Sequence, residues 1–227
     1  MIPLKDDNPT SRQPIITYFL IGLCVVVFLM QLGSPSYKTG QLFYSYGLIP
    51  SVLMGHDQLP KDLYVVPAYM TVFSSMFMHG GWMHLIGNMW YMKIFADNIE
   101  DNLGSRNFII FYILCGAGAA MAQVLMNTHS QIPMVGASGA IGGVLGAYMI
   151  NHPKAKVLVL IPYFIITIIK IRALYVLGFW FVLQFISHGG GVAYAAHIGG
   201  FISGMVLILF FNKKVKRKTK IIKGPWS

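Results

Sequence analysis

Six apolar stretches, at 15–32, 82–96, 108–126, 132–150, 173–187 and 193–211, take up nearly half of this chain and leave it few ways to fold. In hydrocarbon a backbone must satisfy its own hydrogen bonds, so stretches of this kind predict an all-α, polytopic bundle of six transmembrane helices. Several are shorter than the roughly 20 residues a full crossing needs, so some helices begin or end within the bilayer. A seventh run, 157–169, has only 13 residues and is interrupted by Pro162. It is too short to cross and reads as an interfacial or re-entrant segment. Composition agrees with a membrane protein: 56% of the residues are hydrophobic, 11% are charged, and the mean hydropathy is +0.62.

The formal net charge is +10, but seven of the 17 basic residues crowd into 213–223, directly after the last apolar stretch. A juxtamembrane tail meeting anionic lipid accounts for them, and no nucleic-acid partner is expected. With six spans, the N-terminus, the inner loops and the tail collect 14 Lys and Arg, against Lys38 and Lys61 outside. Both termini are therefore expected in the cytoplasm, whereas a seventh crossing would put the basic tail outside. The chain divides into a cytoplasmic segment at 1–14, a six-span core at 15–211 and a basic cytoplasmic tail at 212–227, expected in the cell (plasma) membrane. No small-residue cleavage site follows the first stretch, so it reads as a span and not a signal peptide. The long outer loop, 33–81, carries Tyr64, Tyr69, Phe73 and Phe77, which suit the outer interface. Cys24 and Cys115 fall inside apolar stretches and read as small buried hydrophobes, with no disulfide implied.

Depth carries the functional argument. With Asp97, Asn151 and Asn212 as inner boundaries and a rise of about 1.5 Å per residue, His84 and Ser138 lie roughly 20 Å above the inner face and His197 roughly 22 Å. In a core about 30 Å thick, all three sit some 10 Å below the outer surface. Asn88 lies one turn below His84 on the same helix face. Facing lipid, these groups would be costly, so they should face one another or a water-filled cavity. The helices that carry them are also suited to close approach: Gly142 and Gly146 follow Ser138 on one stripe, and Gly200 and Gly204 share a face with His197.

Absences narrow the chemistry. All seven acidic residues lie in loops or at span ends, which leaves no buried carboxylate on this reading. That argues against an aspartyl protease, a Ser-His-Asp triad and a transporter coupled through a midplane acid. There is no His-Glu-x-x-His helix, and no acid or cysteine accompanies His79, His84 and His197, so no metal and no cofactor are expected.

Together these residues resemble the rhomboid intramembrane serine proteases. The run from His79 to Asn88 is similar to that family's His-x4-His-x3-Asn signature, Gly136 to Gly139 to its Gly-x-Ser-Gly, and Ala196 to Gly204 to its Ala-His-x2-Gly-x4-Gly. Glu100 and Gly104 fit its Glu-x3-Gly, and the likeness covers the whole six-span core. Two positions depart from the pattern. Met70 and Thr71 stand where many members have Trp-Arg, and Gly142 stands where many place an aromatic that stacks on the histidine.

The resemblance implies that Ser138 Oγ attacks a peptide carbonyl while His197 acts as general base and then general acid. The oxyanion would be held by the Ser138 N–H, His84 and Asn88. With no acid present, packing would orient His197. The loop 187–191, flexible by composition, would cap the cavity, and Phe179, Trp180 and Phe181 in the fifth span would either form a lateral gate, as is proposed for the family, or simply face lipid. The expected function is thus endoproteolysis of membrane-anchored proteins near the outer end of a transmembrane segment, with transmembrane proteins and the bilayer as partners. The rival is a catalytically silent relative that binds transmembrane clients. An intact Ser138 and His197 favour the protease.

Overall fold

The computed structural model of the chain describes residues 1–162, 166–186 and 192–211. The expected cap loop at 187–191 and the basic tail at 212–227 lie outside the described residues. In chain order the elements are strand β1 (Ile2–Asp6), helices α1 (Ile15–Leu32), α2 (Ser36–Tyr46), α3 (Pro50–Leu53), α4 (Thr71–Ser74), α5 (Trp82–Leu103), α6 (Ser105–Met126) and α7 (Ser138–Asn151), strands β2 (Lys156–Pro162) and β3 (Ile166–Arg172), and helices α8 (Ala173–Ile186) and α9 (Tyr194–Phe211). Among the described residues, α1, α6 and α9 are long and apolar enough to cross a membrane. The chain is an integral membrane protein, mostly helical.

It is not all-α. The run at 157–169, expected to be an interfacial or re-entrant segment, is extended: its described part belongs to a β-hairpin, and the N-terminal strand completes an antiparallel sheet of order β1-β2-β3. The sequence explains this, because Val157, Val159 and Ile161 alternate with leucines and every residue from Ile166 to Ile171 except Lys170 is β-branched, which suits a pleat better than a helix. Alternation buries Val157 and Val159 completely against the helices. The segment 1–14 is therefore structured: Tyr148 Oη donates to Asp6, and Trp90 Nε1 donates to the Pro3 carbonyl at 2.6 Å.

A second correction concerns Glu100. It lies at the end of α5 but is only 2% exposed. Its carboxylate accepts the amides of Ile16 and Thr17 at 3.0 and 2.8 Å, the Thr17 hydroxyl at 2.9 Å and the Ser105 hydroxyl. Pro14 offers α1 no side-chain cap, so this remote carboxylate satisfies amides that the first turn leaves unpaired and opposes its positive end. Gly104, at φ 75, makes the tight turn between α5 and α6.

At the centre stands α7, buried from Gly139 to Tyr148. A helix apolar on all sides belongs inside a bundle. With 14 residues it rises only about 21 Å, short of a full bilayer. The expected start of this span at 132 is not observed. Pro133 and Gly136, the latter at φ +129, hold 132–137 out of the helix, which begins at Ser138. The loop before it is pinned by the Leu48–Met134 bridge and by the Gly136 amide on the Ser75 carbonyl at 2.9 Å.

Candidate active site

Glycines decide how close α7 and α9 come. A methyl at Gly200 would collide with the Gly139 carbonyl, one at Gly204 with the Gly143 carbonyl, and one at Gly146 with the Phe201 carbonyl. Gly142 is looser: a Cβ there would sit 3.0 Å from the His197 carbonyl oxygen and 3.7 Å from Trp180 Cη2. The α9 stripe of Gly200 and Gly204 thus mates with Gly139 and Gly143. Backbone lies against backbone, and a side chain as short as serine reaches the neighbouring helix.

At the N-terminal end of this seam, His197 Nε2 is 2.8 Å from Ser138 Oγ. On its other side, His197 Nδ1 is 2.8 Å from Gln184 Oε1. His84 reaches the same place from α5. A Cβ at Gly136 would lie 2.7 Å from both His84 Cε1 and Nε2 and 3.6 Å from Ser138 Oγ, so only glycine fits between them. The Gly80 amide donates to His84 Nδ1 at 3.3 Å. That bond assigns the ring proton to Nε2, the nitrogen turned toward Gly136. Asn88, one turn along, is 8% exposed, and its Nδ2 is a buried donor with no partner. The Ser138 N–H opens α7 and has no carbonyl a turn behind it within that helix.

These groups line one cavity of about 910 Å³, bounded by Gly87, Asn88 and Tyr91 of α5, Ser138 and Ile141 of α7, Trp180 of α8 and His197 of α9. A hydroxyl bonded to an imidazole, beside donors that await an acceptor, can add to a carbonyl and hold the resulting oxyanion.

His79 takes no part in the cavity wall. It is 1% exposed, its Nδ1 lies 3.3 Å from the Phe77 carbonyl, and its ring packs edge-on against His84 at 5.2 Å. Gln31 fixes it from α1, donating to the His79 carbonyl at 3.1 Å and accepting its amide at 3.2 Å. Of the fifth-span aromatics, Phe179 points outward while Trp180 and Phe181 turn in toward Phe201. Gln184 is the residue that sequence reading missed. The rule applied to His84 and Asn88 would have found it, since an amide on an otherwise apolar helix needs a partner.

The family model of the rhomboid domain matches residues 66–214. RHOMBOID-like protein 5 of Arabidopsis thaliana is 30% identical over 135 residues, covering 59% of this chain and 41% of its own. The mitochondrial Rhomboid protein 1 of Saccharomyces cerevisiae is 27% identical over 208 residues, 89% of this chain and 55% of its own. Rhomboid protease GluP of Bacillus subtilis is 28% identical over 197 residues, 86% of this chain and 34% of its own. The chain thus spans between a third and just over half of these relatives' lengths. The matched stretch runs from the loop before α4 through α9 and takes in Ser138, His197, His84 and Asn88, and the chain belongs to the rhomboid family.

Proposed function

We propose that this protein is an intramembrane serine endopeptidase that cleaves membrane-anchored proteins near the outer end of a transmembrane segment. The observation that carries the reading is the 2.8 Å bond between His197 Nε2 and Ser138 Oγ on the wall of the cavity. Ser138 Oγ adds to the scissile carbonyl as its proton passes to His197 Nε2. The oxyanion accepts from the Ser138 N–H, from Asn88 Nδ2 and from His84 Nε2. Collapse breaks the C–N bond, and the imidazolium returns the proton to the leaving amine. Water then attacks the acyl-enzyme by the same route and releases the acid.

On this reading α1, α5, α6, α7, α8 and α9 are the six spans, with both termini on the inner, basic side of the membrane. A catalytically silent client-binding protein would have no use for the Ser138–His197 bond. Labelling the purified chain with a fluorophosphonate tests the proposal: the adduct should map to Ser138. Ser138→Ala and His197→Ala should each abolish cleavage of a transmembrane reporter while the protein remains folded. Normal cleavage by either variant would overturn the dyad.

A further inference from the structure

The imidazole of His197 is approached by α8 on the side away from Ser138. Gln184 is 9% exposed, and the orientation of its amide is set locally. Its Nε2 donates to the Trp180 carbonyl one turn earlier at 2.8 Å, so the proton-free Oε1 faces His197 Nδ1, 2.8 Å away. An acceptor opposite Nδ1 requires that nitrogen to carry the ring proton. The Nε2 lone pair is then left for the Ser138 hydroxyl. In the other tautomer two lone pairs would face each other at Gln184, and Nε2–H would point at an oxygen it is meant to deprotonate. Among the described residues, His197 has no carboxylate as a hydrogen-bond partner.

The same helix covers the ring. The Trp180 indole lies 5.8 Å from the imidazole centroid at 34° and extends beside Gly142, the position left open by the absence of a side chain on α7. Trp180 and Phe181 both stack on Phe201, at 6.0 and 4.5 Å, which anchors this part of α8 to α9.

We propose that Gln184 is a positioning residue that, with Trp180 over the ring, sets the tautomer and aim of His197, so that the base is competent only while α8 packs against α9. The proposal rests on the Ser138–His197 reading of the site, but the tautomer is a property of the resting protein and can be measured without turnover.

The full chain, labelled with 15N in its histidine rings and held in nanodiscs, tests it. The His197 signals, assigned by their loss in His197→Asn, should report a protonated Nδ1 and a bare Nε2. In Gln184→Met, similar in size but lacking the acceptor, that preference should be lost. The kcat on a transmembrane reporter should fall about 10- to 100-fold with KM little changed, the range for stranding one buried donor. Gln184→Glu, which keeps an oxygen at this place, should recover most of the loss. If Gln184→Met does not fold, Gln184→Asn, which withdraws the amide by one methylene, carries both readouts. An Nε2–H tautomer in the unaltered protein would overturn the proposal. So would a Gln184→Met protein that melts earlier but keeps both tautomer and kcat, since Gln184 would then only pack. Failure of Ser138 to take the fluorophosphonate would remove the protease reading and leave the spectroscopic result to stand by itself.

Discussion

Two of the contacts that α9 makes, with α7 and with α8, are very different. Against α7 it lies backbone on backbone, with Gly200 and Gly204 fitted to the carbonyls of Gly139 and Gly143. Against α8 it is held by stacked rings, Trp180 and Phe181 on Phe201, and by one amide, Gln184 on His197. The first contact has no slack, because no rotamer can relieve a clash between main chains. The second is made of side chains that can re-pack. Ser138 therefore sits on the rigid seam, while the aim of His197 depends on the adjustable one, and both α5 and α8 contribute to the cavity wall.

The largest effect should come from the rigid seam. Gly204→Val would drive a branched side chain into the Gly143 carbonyl and should destabilise the bundle by about 3 kcal/mol or more, with folding and cleavage lost together. Gly142→Ala on the neighbouring stripe is the control. Its methyl would meet the His197 carbonyl oxygen at 3.0 Å, and the gain in helix propensity of about 1 kcal/mol offsets that tight contact. Thermal unfolding in detergent should thus separate the two variants clearly. Equal tolerance at both sites would mean that the α7–α9 seam is as adaptable as α8.

Next in size is Asn88→Ala. Its Nδ2 is buried and unpartnered, so its removal costs the resting protein little and spares it one unsatisfied donor. On the proposed mechanism the same group donates to the oxyanion, and kcat should fall about 100- to 1,000-fold. Steady-state kinetics together with melting curves decide between the two roles. Lost stability with kcat intact would make Asn88 a strut between helices.

Apolar periodicity, boundaries and depth made much of this molecule legible. They placed α1 to the residue, and they set His84, Ser138 and His197 at one level; those residues line one cavity. Three of the misses share a cause, since each depends on a partner on another element. The run after Lys156 becomes a strand because β1, more than 150 residues away, supplies an edge to pair with. Glu100 looked like a boundary charge because its acceptor role is visible only once the amides of α1 stand over it. Gln184 was read as part of an apolar helix, and packing was left to orient His197. Span four was drawn too long because hydropathy is blind to the φ of Gly136.

The smallest effect concerns the substrate, and it follows from the unequal contacts of α9. On the proposed reading, a glycine-locked seam does not part to admit a helix, so a substrate segment would enter from the side of α5 and α8 and reach Ser138 as extended chain. The scissile bond would then lie some 10 Å below the surface, where a peptide is ordinarily helical with its carbonyl hydrogen-bonded, so the segment would have to unwind first. Replacing alanine by glycine costs a helix about 1 kcal/mol, which enlarges the unwound population roughly fivefold. Cleavage of a poor transmembrane reporter should rise by about that factor when one glycine is placed in the outer half of its helix, just beyond an Ala cleavage site. A polyleucine helix of equal length should resist. If cleavage were indifferent to helix strength and tolerated Trp before the cut, substrate would be entering intact, and the α7–α9 seam would have to open after all.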